Sequence, residues 1–126
     1  MKKFVSTILL FISFMCLFSC AVNPFYKAVD QIEDYGLERF DYNNNQIRSV
    51  ENDLKDFNIQ LDGGIEKITH LIKKNGDILT YAYVYKFEND SDASLFYNSY
   101  AKYSISKIKG DVVVFGNLPM INTIKL

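Results

Sequence analysis

His70 is the single histidine of the 126-residue chain, so acid–base chemistry built on imidazole would have to centre there. One histidine supplies no histidine-based metal set, and nothing near it in sequence marks a nucleophile, so it reads as a histidine at a strand surface or core margin. Asp41, Asn43 and Asn45 repeat the one-three-five spacing with which calcium loops present oxygen ligands. The pattern then breaks: the sharp-turn glycine of the sixth position is Gln46, and the bidentate glutamate of the twelfth is Asn52, with Glu51 one place early. A polar turn whose last asparagine, Asn45, caps the next helix accounts for these residues. Asp30, Glu33, Asp34 and Glu38 have spacings that would bring carboxylates together on a helix, but Lys27 and Arg39 are interspersed, and a solvated face explains them. Gly63-Gly64 lacks the further glycines and the lysine of a phosphate loop. No catalytic residue, metal or cofactor is expected, and the domain reads as non-enzymatic.

Tyr81, Tyr83 and Tyr85 are different in kind. They alternate between Leu79 and Phe87, which puts all five on one face of a strand, with Ile78, Thr80, Ala82, Val84 and Lys86 on the other. Tyrosine buries a large apolar ring while its hydroxyl keeps a polar edge, a combination frequent in binding surfaces. The three form the candidate partner-binding face, for a protein or small-molecule ligand. Two arrangements stay open: helices one and two cover the row and the hydroxyls reach the rim, or part of the row faces solvent.

The elements that must position this face follow from periodicity. Helix one starts at Pro24, carries Phe25, Ala28, Val29 and Ile32, and stops at Gly36. Helix two carries Ile47, Val50, Leu54 and Phe57 at helical spacing. Residues 65–73 fit either a helix face, through Ile65, Ile68 and Ile72, or the first arm of a hairpin turning at Asn75-Gly76; strand is preferred because the next segment, Ile78–Phe87, alternates strictly. Glu88–Asp92 supplies caps for helix three, with Ala93, Phe96, Tyr97, Tyr100 and Ser104 on one face. Val112–Phe115 is a continuous apolar run suited to a sheet covered on both sides. Pro119 opens a short closing helix with Met120, Ile121 and Ile124, or these form an edge strand. The fold expected is α+β: two N-terminal helices, then a small, mainly antiparallel sheet in β-β-α-β order, with a candidate short C-terminal helix.

The N-terminal residues bear on location. Lys2 and Lys3 precede an apolar stretch from Phe4 to Ser19 that only Ser6, Thr7 and Ser13 interrupt, the pattern of an export signal. It is short for a bilayer-spanning helix, which needs about 20 apolar residues, and no basic stop-transfer cluster follows. Leu17-Phe18-Ser19-Cys20 resembles the lipobox of bacterial lipoproteins: an aliphatic residue, a tolerant position, a small residue and the cysteine. The resemblance implies that residues 1–19 are a cleaved signal, that the Cys20 thiol takes a diacylglycerol, that residues 20–24 form a short tether, and that residues 25–126 are one small domain. Two or more acyl chains, at about 0.8 kcal/mol per buried methylene, hold a protein on a membrane stably. It further implies a cell-envelope setting, on the outer membrane of a two-membrane bacterium, since Ala21 follows the cysteine, and otherwise on the outer face of the plasma membrane. With Cys16 inside the signal, the domain keeps no thiol for a disulfide.

Loss of Lys2 and Lys3 leaves twelve basic residues against the 15 acidic ones, a net charge of −3 without a polybasic run, which argues against nucleic acid and anionic lipid surfaces as charge-driven partners. The functions expected are a non-catalytic binding module that meets an envelope protein or small ligand, a structural component of an envelope complex, or, less favoured, an unrecognised hydrolase.

Overall fold

A strictly alternating strand sorts its residues onto two faces, and in the second half of Ile78–Phe87 both faces are apolar: Ala82 and Val84 on one, Tyr85 and Phe87 on the other. Such a strand has to be covered twice. The computed structural model, which describes residues 23–126, shows the cover. Helix α1 (Pro24–Glu33) lays Phe25, Ala28, Val29 and Ile32 on the Ala82/Val84 face, where Ile121 and Ile124 of the C-terminal segment join them. The tyrosine face is covered by α2 (Asn44–Asp56), through Ile47 and Leu54, and by α3 (Asp90–Ser99), through Ala93 and Phe96. Helix one therefore lies on the face opposite the tyrosines, and helix three takes the place the sequence reading allowed it.

Between these layers lie β1 (Glu38–Asp41), β2 (Ile65–Asn75), β3 (Ile78–Phe87), β4 (Ile105–Lys109) and β5 (Val112–Gly116), side by side in the order β1-β2-β3-β5-β4 and antiparallel throughout. The class is α+β, but the expected order of two N-terminal helices followed by β-β-α-β is overturned. A strand separates the first two helices, and a second hairpin, β4–β5, follows α3.

The two strands absent from the expected order, β1 and β4, are the edge strands of the sheet. β1 is four residues long, three of them charged, and pairs only with β2. Its one large apolar residue, Phe40, is 47% exposed, so no alternation marks it. β4 reads Ile-Ser-Lys-Ile-Lys and is half-buried for most of its length. Its Lys107 and Lys109 ammonium groups donate to the carbonyls of Ile124 and Leu126 at 2.5 and 2.7 Å, which fastens the C-terminal segment against it. Lysine on an edge also discourages pairing with another chain. The face expected to run on to Ser104 as one helix is broken: α3 ends at Ser99, and a 3-10 turn, Ala101–Tyr103, leads into β4.

Residues 65–73 are strand, within β2. The hairpin turns one residue later than expected, on Gly76-Asp77, with Asn75 opposite Ile78. Gly76 has φ +65° and Gly110, which with Asp111 joins Lys109 to Val112, has φ +58°. A two-residue hairpin needs such a value at its first central position, and glycine adopts it without a Cβ clash. Val112–Gly116 is buried along its whole length between β3 and β4. The closing residues Pro119–Asn122 form a 3-10 turn, not an edge strand.

Helix α2 is capped by Asn43, not Asn45. The Asn43 side-chain oxygen accepts the Gln46 N–H at 2.9 Å, and the Gln46 side chain accepts the Asn43 N–H at 2.9 Å, a reciprocal box that satisfies two backbone donors. Phe57, expected on the buried stripe, is 70% exposed. The helix stops at Asp56, Asn58 takes the left-handed conformation at φ +62°, and the Ile59 N–H donates back to the Leu54 carbonyl at 2.9 Å, so Ile59 fills the core in place of Phe57.

The residues read as an export signal, and Cys20 after them, lie outside the described residues. Within them, no helix is long and apolar enough to cross a membrane.

Candidate binding face

Register decides which aromatic side chains meet. With Asn75 opposite Ile78, His70 stands opposite Tyr83; Phe40 stands opposite His70 on β1, and Phe115 opposite Tyr83 on β5. Directly opposed residues point to the same face. The result is a row across four strands, Phe40-His70-Tyr83-Phe115, on the face that carries the tyrosines.

His70 and Tyr83 stack with ring centroids 4.3 Å apart and planes 6° from parallel, and Tyr83 stacks on Phe115 at 5.3 Å and 19°. Tyr81 and Tyr85 flank Tyr83 edge-on at 6.0 and 6.1 Å. Tyr100, at the end of α3, meets Phe115 edge-on at 5.9 Å. The rings form one connected surface.

That surface is unevenly covered. Tyr85 is 6% exposed, stacked at 5.0 Å on Phe96 of α3 and edge-on to Phe115 at 5.2 Å. Tyr81, Tyr83 and His70 are half-buried, and Phe40 and Tyr100 stand exposed at the margins. The three tyrosines named from sequence thus divide: Tyr85 belongs to the core, while Tyr81 and Tyr83 belong to an open shelf that Phe40, His70 and Tyr100 complete. Those last three had not been assigned to the face. The signal for His70 and Phe40 was the strand register, which is readable only once both the hairpin turn and β1 are placed.

Burial pushes the Tyr83 phenol up to about 12, with Tyr42, Tyr81 and Tyr100 nearby adding to the effect; the group is a neutral donor at ordinary pH. Burial also holds His70 below its usual range, so the imidazole is neutral. The shelf offers ring faces, a phenol and a neutral imidazole, and it is a stacking and hydrogen-bonding surface. Three His, Cys, Asp or Glu side chains in position to hold a metal do not occur among the described residues. Within the calcium-like spacing that the sequence breaks off, Asp41 is taken by the Arg39 guanidinium at 2.9 Å and the Thr69 hydroxyl at 2.7 Å, and Asn43 by its cap.

Gly63-Gly64 turns the chain into β2 and binds a carboxylate of its own chain. The N–H groups of Asp62, Gly63 and Gly64 donate to Asp92 at 2.8, 2.8 and 3.0 Å, and Asn89, the cap of α3, adds its carboxamide at 3.3 Å. This clamp fixes α3, hence Phe96 and Tyr100, relative to the start of β2.

No known protein family, characterised protein or solved structure matches the chain, so the face is read from its own geometry.

Proposed function

We propose that the protein is a lipoprotein of the bacterial cell envelope, held on the membrane by acyl chains on Cys20, and that its domain is a non-catalytic binding module working through the open part of its aromatic face. The lipobox-like Leu17-Phe18-Ser19-Cys20 supports the anchor. The observation that carries the binding role is the shelf: Phe40 and Tyr100 exposed beside the half-buried stack of His70 and Tyr83, with α2 and α3 covering only the Tyr85 end. Folded domains normally bury aromatic residues gathered in this way, and an uncovered cluster marks a surface that a partner covers. The neutral character of the shelf suits an uncharged, ring-bearing or apolar surface on that partner.

The test is a photo-cross-linking residue at position 40 of the full-length protein in its host, alone and combined with Tyr81→Ser. A discrete adduct that Tyr81→Ser removes, and that a cross-linker at Lys74 on the hairpin arm does not give, is the expected result. The same adducts from positions 40 and 74, unaffected by Tyr81→Ser, would contradict the assignment.

A further inference from the structure

The β2–β3 hairpin outruns its neighbours. β1 reaches along β2 only to Ile72, and β5 reaches along β3 only to Ala82, so among the described residues no strand flanks the arm beyond them. Asn117 steadies part of it: its carboxamide accepts the Tyr81 N–H and donates to the Leu79 carbonyl, both at 2.7 Å. The rung Asn75–Ile78 lies past that brace, and residues 73–79 are all exposed. A Cβ placed on Gly76 would meet nothing within 4 Å.

Asn75-Gly76 is the one asparagine–glycine pair of the chain. The carboxamide carbon of an asparagine is an electrophile that the backbone nitrogen of the next residue can reach, and the side chain of that next residue ordinarily hinders the approach. Glycine has none, and it leaves the backbone free to turn. The other asparagines differ in ways that matter to this chemistry. Asn52 and Asn98 lie inside helices, Asn43, Asn89 and Asn117 hold their carboxamides in hydrogen bonds, and Asn58 precedes the branched Ile59.

We infer that Asn75 is a site of spontaneous deamidation in the folded protein, where it converts to a mixture of aspartate and isoaspartate. The Gly76 amide nitrogen attacks Cγ of Asn75 and gives up its proton. A new C–N bond closes a five-membered succinimide, and the carboxamide nitrogen takes the proton and leaves as ammonia. One water then opens the ring. Attack at Cγ yields aspartate, whereas attack at the main-chain carbonyl yields isoaspartate, with the chain running through Cβ and Cγ. Water is consumed, ammonia is released and nothing is oxidised or reduced.

Ring closure requires the extended Asn75 backbone to rotate, which breaks a single rung. A terminal rung opens at almost no cost, whereas a site that opened only with the whole fold would be slowed by about a thousandfold or more. The tip therefore reacts at a rate near that of an unfolded chain. Isoaspartate adds a methylene to the main chain, so the two-residue turn no longer closes its first rung, and a carboxylate joins Asp77 beside Lys73 and Lys74. β1 and β5 hold the strands from Ile72 and Ala82 inward, so the His70–Tyr83 stack keeps its register. The site depends on neither the anchor nor the binding face.

The full-length protein in neutral detergent micelles is held in mildly alkaline buffer at physiological temperature, beside a sample unfolded in guanidinium, and peptide mass spectrometry follows the exchange of NH2 for OH at each asparagine. Conversion is expected first at Asn75 in both samples, with the folded rate within about a hundredfold of the unfolded one. Asn75→Gln should abolish the gain at the tip, because glutamine must close a larger ring, and Asn58→Gln should change nothing. In the converted folded protein the amide resonances of Lys74, Asp77 and Ile78 should move while those of His70 and Tyr83 stay in place. Folded conversion more than about a hundredfold slower than unfolded, earlier conversion at another asparagine, or a gain at the tip that survives in Asn75→Gln overturns the inference.

Discussion

His70 and Tyr83 lie face to face across β2 and β3, their ring centroids 4.3 Å apart. The site is partly desolvated, which disfavours the charged imidazole, and burial accordingly lowers its pKa. An unfolded histidine titrates near 6.5. As pH falls from about 6.5 to the lower folded value, the unfolded chain binds more protons than the folded one, so stability falls with it; above that window His70 contributes no slope. Urea denaturation at a series of pH values is expected to show the loss beginning below about 6.5, and His70→Phe, which keeps a stacking ring and removes the titration, should flatten it. A slope retained in full by His70→Phe would refute the assignment.

The three tyrosines of β3 should respond to serine in graded fashion. Tyr85→Ser removes a ring packed on Phe96, Phe87 and Phe115 and should cost on the order of 3–5 kcal/mol. Tyr83→Ser, half-buried between His70 and Phe115, should cost roughly half as much, and Tyr81→Ser about 1 kcal/mol or less. Chemical denaturation of the three variants checks the order. Equal losses at 81 and 85 would mean that the row is covered throughout.

Asp92 should be a sharp point of failure for the clamp between the Gly63-Gly64 turn and α3. Burial opposes its charge, but the N–H groups of Asp62, Gly64 and Gly63 and the Asn89 carboxamide outweigh it, and its pKa falls below the ordinary carboxylate value. A depressed folded value means that the stabilisation is present above the unfolded pKa of about 4 and is lost as pH falls through the folded pKa. Asp92→Asn swaps one acceptor oxygen for a donor facing backbone N–H groups and should cost about 1–3 kcal/mol at neutral pH. Denaturation of that variant with a loss within error of zero would show that the N–H groups find other acceptors.

What could be read from the residues and what could not separate along one physical line: burial in the core against a place at the edge of the sheet. Helix α1, β3 and the core half of α2 carry strong periodicity because a covered face demands it, and they were legible. β1 and β4 lie at the sheet edges, where charged and half-buried residues satisfy the chain without any alternation. The clue to β4 was the Gly110-Asp111 pair, the same two residues that turn the β2–β3 hairpin at Gly76-Asp77. The candidate face was legible as a tyrosine row but not as a shelf. Placing the turn one residue early, at Asn75-Gly76, shifts every cross-strand partner by two and sets His70 against Tyr81 instead of Tyr83. Phe40 could not join the face until β1 existed.

The claim that ties the domain to a membrane is tested most directly by the intact mass of the protein extracted from the membranes of its host. The account predicts a chain that begins at Cys20 and exceeds the mass of residues 20–126 by at least a diacylglyceryl group, with the increment lost in Cys20→Ser. An unmodified chain, whether full-length or cut at another bond, would contradict it.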